Sequence, residues 1–252
     1  MEFIAHQGES HDAPGNTLAA FRLAWERGDR AIEFDLHLTK DGFLACCHDD
    51  TTGATTGVDY RISEATLAQL KELDAGRWKG AQWTGERLPA LEEILPTVPE
   101  GSRCFIEIKG DPDIVPAGSI DALKKVVEGC ALRPEQLALI SFSADAVAEA
   151  KQKLPWMTAY YLAGYWGEYG SVSGPESARK LIGAARGCQA DGVDVCHDGP
   201  IDADYIQRVR DAGLAFYVWT IDDIATAARM LDLGVDGITS NRPAWLKAQL
   251  GL

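Results

Sequence analysis

From one end of the chain to the other, short runs rich in β-branched and aromatic residues alternate with stretches in which apolar residues recur every three to four positions. The first kind predicts strands over 3–6, 31–37, 44–48, 103–109, 137–142, 158–162, 192–196, 214–220 and 237–240. The second predicts helices over about 17–28, 119–131, 143–153, 175–188, 202–212, 222–233 and 243–250. Asn16, Ser143 and Asp222 stand where helices open, as side-chain acceptors for the first free N–H groups, and Gly28, Gly213 and Gly234 stand where they close. Strands alternating with helices imply a parallel sheet. Setting aside 44–48, which reads as the return arm of a hairpin after the second strand, leaves eight strand–helix units, the arithmetic of a (β/α)8 TIM barrel. An open doubly wound sheet would bring a glycine-rich phosphate loop after its first strand, and none is present. The stretch 49–99 breaks the rhythm and is expected to be a small insertion on the catalytic rim of a single domain spanning 1–252.

Alternation along the strands locates the chemistry. On the second strand Ile32, Phe34 and Leu36 face the helices, while Glu33, Asp35 and His37 face inward. On the fourth predicted strand Cys104, Ile106 and Ile108 face outward and Glu107 and Lys109 inward. Three carboxylates aimed into one poorly solvated interior repel unless positive charge lies among them. One divalent cation, Mg²⁺ or Ca²⁺, would supply it through oxygen ligands; ion pairs with Lys109 and Arg103 are the alternative. Asp41-Gly42 reads as a two-residue turn, so Lys40 would pair with Phe43 and His48 would fall opposite Asp35. A slip of one residue would turn His48 away. His6 ends the first strand, at the rim where barrels of this kind build their sites, and two histidines near a cation suit proton transfer at neutral pH.

Charge narrows the partners. The chain carries 38 acidic against 24 basic side chains, a formal charge of -14, which disfavours nucleic acid and anionic membrane surfaces. No apolar run reaches the roughly 18 residues of a transmembrane segment, and the N-terminal residues lack a signal-peptide pattern, so a cytoplasmic location is expected. Six cysteines without a C-x-x-C pair read as reduced, mostly buried thiols. Nothing in the pattern sets an oligomeric state.

The blocks His6-Gln7-Gly8, Pro14-Gly15-Asn16-Thr17, Ile32-Glu33-Phe34-Asp35, Thr39-Lys40-Asp41-Gly42 and His48-Asp49 resemble the N-terminal signature of the glycerophosphodiester phosphodiesterases. The likeness continues through 86–93, Glu107-Ile108-Lys109, Val218-Trp219-Thr220 and 234–243. It implies a TIM barrel that hydrolyses glycerophosphodiesters to an alcohol and sn-glycerol 3-phosphate. By the same resemblance Glu33, Asp35 and Glu107 would hold Mg²⁺ or Ca²⁺, and His6 and His48 would be the acid–base pair. Gln7, Lys109 and Trp219 would contact the substrate. Two positions depart from the family pattern: Gln7 stands for an arginine and Gly15 for a glutamate. Other readings are a phospholipase D-type or lyase action on lysolipids through a cyclic phosphate, and a non-catalytic barrel that binds a phosphate or polyol. His11, His37 and His197 are secondary candidates near the site. Trp78, Trp83, Trp166, Tyr160, Tyr161 and Tyr165 are candidates for a groove that takes the alcohol.

Overall fold

The computed structural model describes residues 1–110, 114–165 and 173–252. Its strands are β1 (Glu2–His6), β2 (Ala31–Leu38), β3 (Leu44–Cys46), β4 (Arg103–Ile108), β5 (Leu137–Ser141), β6 (Thr158–Ala163), β7 (Gly192–Cys196), β8 (Ala215–Trp219) and β9 (Gly237–Ser240). The helices are α1 (Leu18–Glu26), the short α2 (Gly53–Thr56), α3 (Leu67–Lys71) and α4 (Leu91–Ile94), then α5 (Ser119–Val127), α6 (Ala144–Lys153), α7 (Gly174–Gly187), α8 (Ala203–Asp211), α9 (Ile224–Leu233) and α10 (Pro243–Leu250). All strands but β3 pair in parallel, and β1 joins β2 on one side and β9 on the other, which closes an eight-stranded (β/α)8 barrel.

Alternation sorts the side chains as expected. Ile32, Phe34, Leu36, Cys104, Ile106 and Ile108 lie in the large core between strands and helices. A second core fills the barrel: Ile4, Phe105, Tyr160 and Tyr217 pack there, with the Tyr160 and Tyr217 rings 4.8 Å apart. Gly237 makes room for this layer, since a Cβ there would stand 2.4 Å from Tyr217 Cδ1. At the N-terminal end of the barrel Arg103 pairs with Glu2 at 2.7 Å. Arg103 is therefore at the opposite end from the carboxylate cluster, and of the two expected countercharges Lys109 alone meets that cluster.

The hairpin register differs from the expected one. Leu36 pairs with Cys46, His37 with Ala45 and Leu38 with Leu44, a shift of one residue. The turn holds three residues instead of two. Thr39 Oγ1 donates to Asp41 Oδ1 at 2.8 Å and accepts from Phe43 N–H at 2.9 Å, and Gly42 takes φ +83°. Gly42 is thus the left-handed residue of a bulged turn, not half of a two-residue loop. β3 covers an edge that β1 leaves bare. β1 ends at His6 opposite Glu33, while β2 runs on to Leu38.

Two expected caps also shift by one residue. Thr17, not Asn16, caps α1 by accepting from Ala20 N–H, and Asp223, not Asp222, caps α9 by accepting from Thr226 N–H. Ser143 caps α6 as expected, and Gly28, Gly213 and Gly234 all adopt positive φ after their helices. The six cysteines are free thiols. Between residues 49 and 99, α3 packs on a small separate core of Ala45, Cys47, Ile62, Leu70, Leu73 and Leu88, while Leu91 and Ile94 of α4 join the main core. No helix among the described residues is long and apolar enough to cross a membrane.

Candidate active site

β2 and β4 lie side by side with Asp35 opposite Glu107, so their inward positions bring three carboxylates together. One oxygen from each of Glu33, Asp35 and Glu107 lies within 4.8 Å of the others, and all three residues are buried. Lys109 Nζ stands 3.1 Å from Asp35 Oδ1 and 3.0 Å from Glu107 Oε1. Asp35 Oδ2 accepts from Asn16 Nδ2 at 2.7 Å and from Gln7 Nε2 at 3.0 Å, while Glu33 Oε2 accepts the Gln7 backbone N–H at 3.1 Å. Burial alone would raise the Asp35 pKa; Lys109, His48, His6 and the Asn16 hydrogen bond outweigh it and hold the group down to about 2. Glu33 and Glu107 move the other way. Burial and the neighbouring Asp35 charge raise Glu33 well above the usual carboxylate range and push Glu107 up to about 8. Burial would lower the Lys109 ammonium, but Asp35 and Glu107 more than offset it and raise it.

If all three carboxyl groups ionise, one ammonium leaves the cluster short of two positive charges, and burial and that shortage are why Glu33 and Glu107 hold their protons. Glu33 Oε1 is buried with no hydrogen-bond partner, and Asp35 Oδ1 has none besides its ion pair with Lys109. An all-oxygen set of this spacing, with the Glu33 oxygen left over, fits a hard divalent cation. The donor set therefore fits the cation expected from the sequence.

The His6 ring is oriented by the far end of the chain. Asn241 Nδ2 donates to Asp222 Oδ2 at 2.6 Å, which fixes its amide so that Oδ1 faces His6 Nδ1 at 2.7 Å. A carbonyl oxygen accepts, so Nδ1 carries the proton and the bare Nε2 faces the carboxylates, 3.9 Å from Glu33 Oε2. Ser10 Oγ donates to the same Asn241 oxygen at 2.8 Å. Burial lowers the pKa of the ring below its ordinary value. His48 reaches the site by another route than the expected pairing. The shifted register would turn it outward, but β3 ends at Cys46, and the chain turns in where Cys47 N–H donates to Asp35 O at 3.1 Å. His48 Nδ1 then contacts Asp49 Oδ1 at 2.8 Å, while His37 Nε2 donates to the His48 carbonyl at 3.2 Å.

Two cavities meet at His48. One of about 420 Å³ occupies the barrel mouth and is lined by His6, Glu33, Glu107, Lys109, Phe142 and Trp219 among others. The other, about 490 Å³, lies toward the 49–99 segment, against Gln7, His11, Asn16, Asp49, Trp78 and Lys79. Trp219 stands edge-on to Phe142 with ring centroids 5.8 Å apart, and its Nε1–H donates to Asp194 O at 3.1 Å. Of the secondary candidates, Tyr160 fills the barrel interior, Tyr165 packs against Tyr205, and Trp166 lies outside the described residues. His197 pairs with Asp198 at 3.1 Å outside both cavities.

Sequence reasoning missed four residues here. Asn241, Asp222 and Ser10 form the support of His6, and nothing local in the sequence links positions so far apart. Asp194 also lines the barrel-mouth cavity. Alternation on β7, with Val193 and Val195 buried in the outer core, carried that signal.

Comparison with known proteins adds an independent line. The model of the glycerophosphoryl diester phosphodiesterase family matches residues 6–245. A glycerophosphodiester phosphodiesterase of Caldanaerobacter subterraneus is 31% identical over 246 residues, covering 96% of this chain and 95% of its own. Another from Bacillus subtilis is 28% identical over 254 residues, covering 95% and 83%. Among solved structures, an Oleispira antarctica phosphodiesterase in complex with its product sn-glycerol-3-phosphate superposes with a TM-score of 0.88 at 26% identity, covering 100% and 97%.

Proposed function

The chain belongs to the glycerophosphoryl diester phosphodiesterase family, enzymes that hydrolyse glycerophosphodiesters; on that premise we propose a divalent-cation-dependent reaction in which His6 and His48 move the protons. The observation that carries this reading is the set of three converging carboxylates, with an unpartnered oxygen on Glu33, beside a histidine whose bare nitrogen faces them.

Glu33, Asp35 and Glu107 would hold Mg²⁺ or Ca²⁺, which when bound polarises a phosphoryl oxygen and favours attack at phosphorus. Lys109 offers the phosphate its ammonium from the edge of the same cluster. His6 Nε2 accepts the proton of the attacking hydroxyl, because Asn241 keeps the proton of the ring on Nδ1. His48, with Asp49 on Nδ1, presents Nε2–H to the leaving alkoxide. Trp219 and Phe142 form the apolar wall of the barrel mouth. The amide of Gln7 is engaged with Asp35, so this residue acts on the substrate through the carboxylate, in place of the two-pronged phosphate contact an arginine would make.

A phosphorus NMR time course on a panel of glycerophosphodiesters tests this. Glycerol 3-phosphate is expected to appear with Mg²⁺ or Ca²⁺ and to stop with chelator. Turnover that ignores chelator would refute the cation, and a cyclic phosphate as the accumulating product would replace hydrolysis by the lyase reading.

A further inference from the structure

We infer that Asp194 reads the polyol arm of the substrate: its carboxyl group, in the wall of the barrel-mouth cavity, binds vicinal hydroxyls there and so places the glycerol in that cavity. The assignment rests on the phosphodiesterase reading above.

Asp194 is 2% exposed, its Oδ1 has no hydrogen-bond partner, and no cation lies within ion-pair distance of it among the described residues. Three other buried carboxylates outside or at the edge of the cluster do have such a partner: Asp29 has Lys247, Glu9 has Arg27 and Asp35 has Lys109. Nor does the fold use the Asp194 carboxyl, since Trp219 bonds its backbone oxygen. A buried polar group left without a partner is unfavourable, and the missing partner here faces a cavity. Opposite stands the phosphate end, with Glu107, Lys109 and His6; around it stand Ile140, Phe142, Leu162 and Trp219. A short carbon chain packs on those apolar walls, while hydroxyls on adjacent carbons match the two oxygens of one carboxyl. Burial pushes the Asp194 pKa up to about 8, so near neutrality the group can both donate to and accept from a diol. The leaving alcohol then occupies the second cavity, which shares His48 as its wall. That arrangement puts His48 beside the departing oxygen.

The test compares two diesters of one alcohol, carrying either glycerol or a propyl group without hydroxyls, on the Mg²⁺- or Ca²⁺-loaded enzyme. Wild type is expected to favour the glycerol diester by roughly 10–100-fold in kcat/KM. Asp194→Leu is expected to erase that preference while changing turnover of the propyl diester less than about twofold, and Asp194→Asn, which keeps a donor and an acceptor, to restore most of it. Calorimetry gives a readout without turnover: Asp194→Leu should weaken glycerol 3-phosphate binding by a similar factor and leave inorganic phosphate unchanged. Equal loss on both diesters, no loss on either, or a wild type indifferent to the hydroxyls would overturn the inference. A wild type that binds glycerol 3-phosphate through Asp194 yet cleaves no diester would refute the reaction instead and leave Asp194 as a polyol contact.

Discussion

Gln7 and Gly15, the two positions that depart from the family pattern, touch one another. A Cβ on Gly15 would stand 2.6 Å from Gln7 Oε1 and 3.1 Å from Gln7 Cβ. The small residue leaves the space that lets the Gln7 amide lie down on Asp35, so the two departures act as one change. Gly15 does not take positive φ, and an added methyl group therefore strains contacts and not the backbone. Gly15→Ala is expected to lift the amide from Asp35 and to reduce stability by about 1 kcal/mol, the net worth of one hydrogen bond. In a Gln7→Ala background the same substitution should be nearly neutral. Denaturant unfolding of the two single variants and the double variant checks this, and additive effects would show the residues to be independent.

The β2–β3 hairpin shows what the pattern of residues could and could not reveal. Alternation reports burial, so the strands and their inward carboxylates were legible almost to the residue, as Glu33, Asp35 and Glu107 demonstrate. Register and capping were not, because neighbouring residues there have near-equal local preference and a tertiary contact decides between them. Thr17 takes the cap because Asn16 is drawn to Asp35, and Asp223 takes it because Asp222 is held by Asn241. The hydroxyl of Thr39 likewise selects the longer turn. Since Gly42 carries the left-handed conformation in open space, Gly42→Ala is expected to cost about 1 kcal/mol from backbone strain alone, and Gly42→Asn less. Urea midpoints measure the difference; equal midpoints for all three proteins would contradict the bulged turn.

At the scale of the whole molecule the barrel interior is divided. The N-terminal end is closed by Glu2 and Arg103 under a layer of aromatic rings, and the C-terminal end carries the chemistry. Glu2→Gln should therefore lower stability by roughly 1–3 kcal/mol, as expected for breaking a mostly buried pair, with kcat unchanged. A fall in kcat at constant fold would deny that the two ends are independent. Asp194 places a pH dependence on global stability. Its folded pKa, about 8, lies above the unfolded value, so between about pH 4 and pH 8 the unfolded chain has lost a proton that the native state retains. Stability from this group falls as pH rises through that window and levels off above it. Asp194→Asn should remove this contribution, so its Tm advantage over wild type widens from pH 4 to pH 8. Glu33 and Glu107 remain in both proteins and largely cancel in the difference; a constant gap would reject the assignment.

The closing of the ring by β1 against β9 bears on how the protein is made. Glu2 pairs with Gly237 and Ala5 with Ser240, and the ring of His6 is set by Asn241, 235 residues away. As the chain leaves the ribosome, all three carboxylates have been made once β4 has emerged. The base beside them gains its orientation only when the final strand arrives. Contacts of such sequence separation form late. A nascent chain halted before Asn241 carries all three carboxylates but lacks the residue that orients His6, so competence at this site comes with the last of the barrel strands.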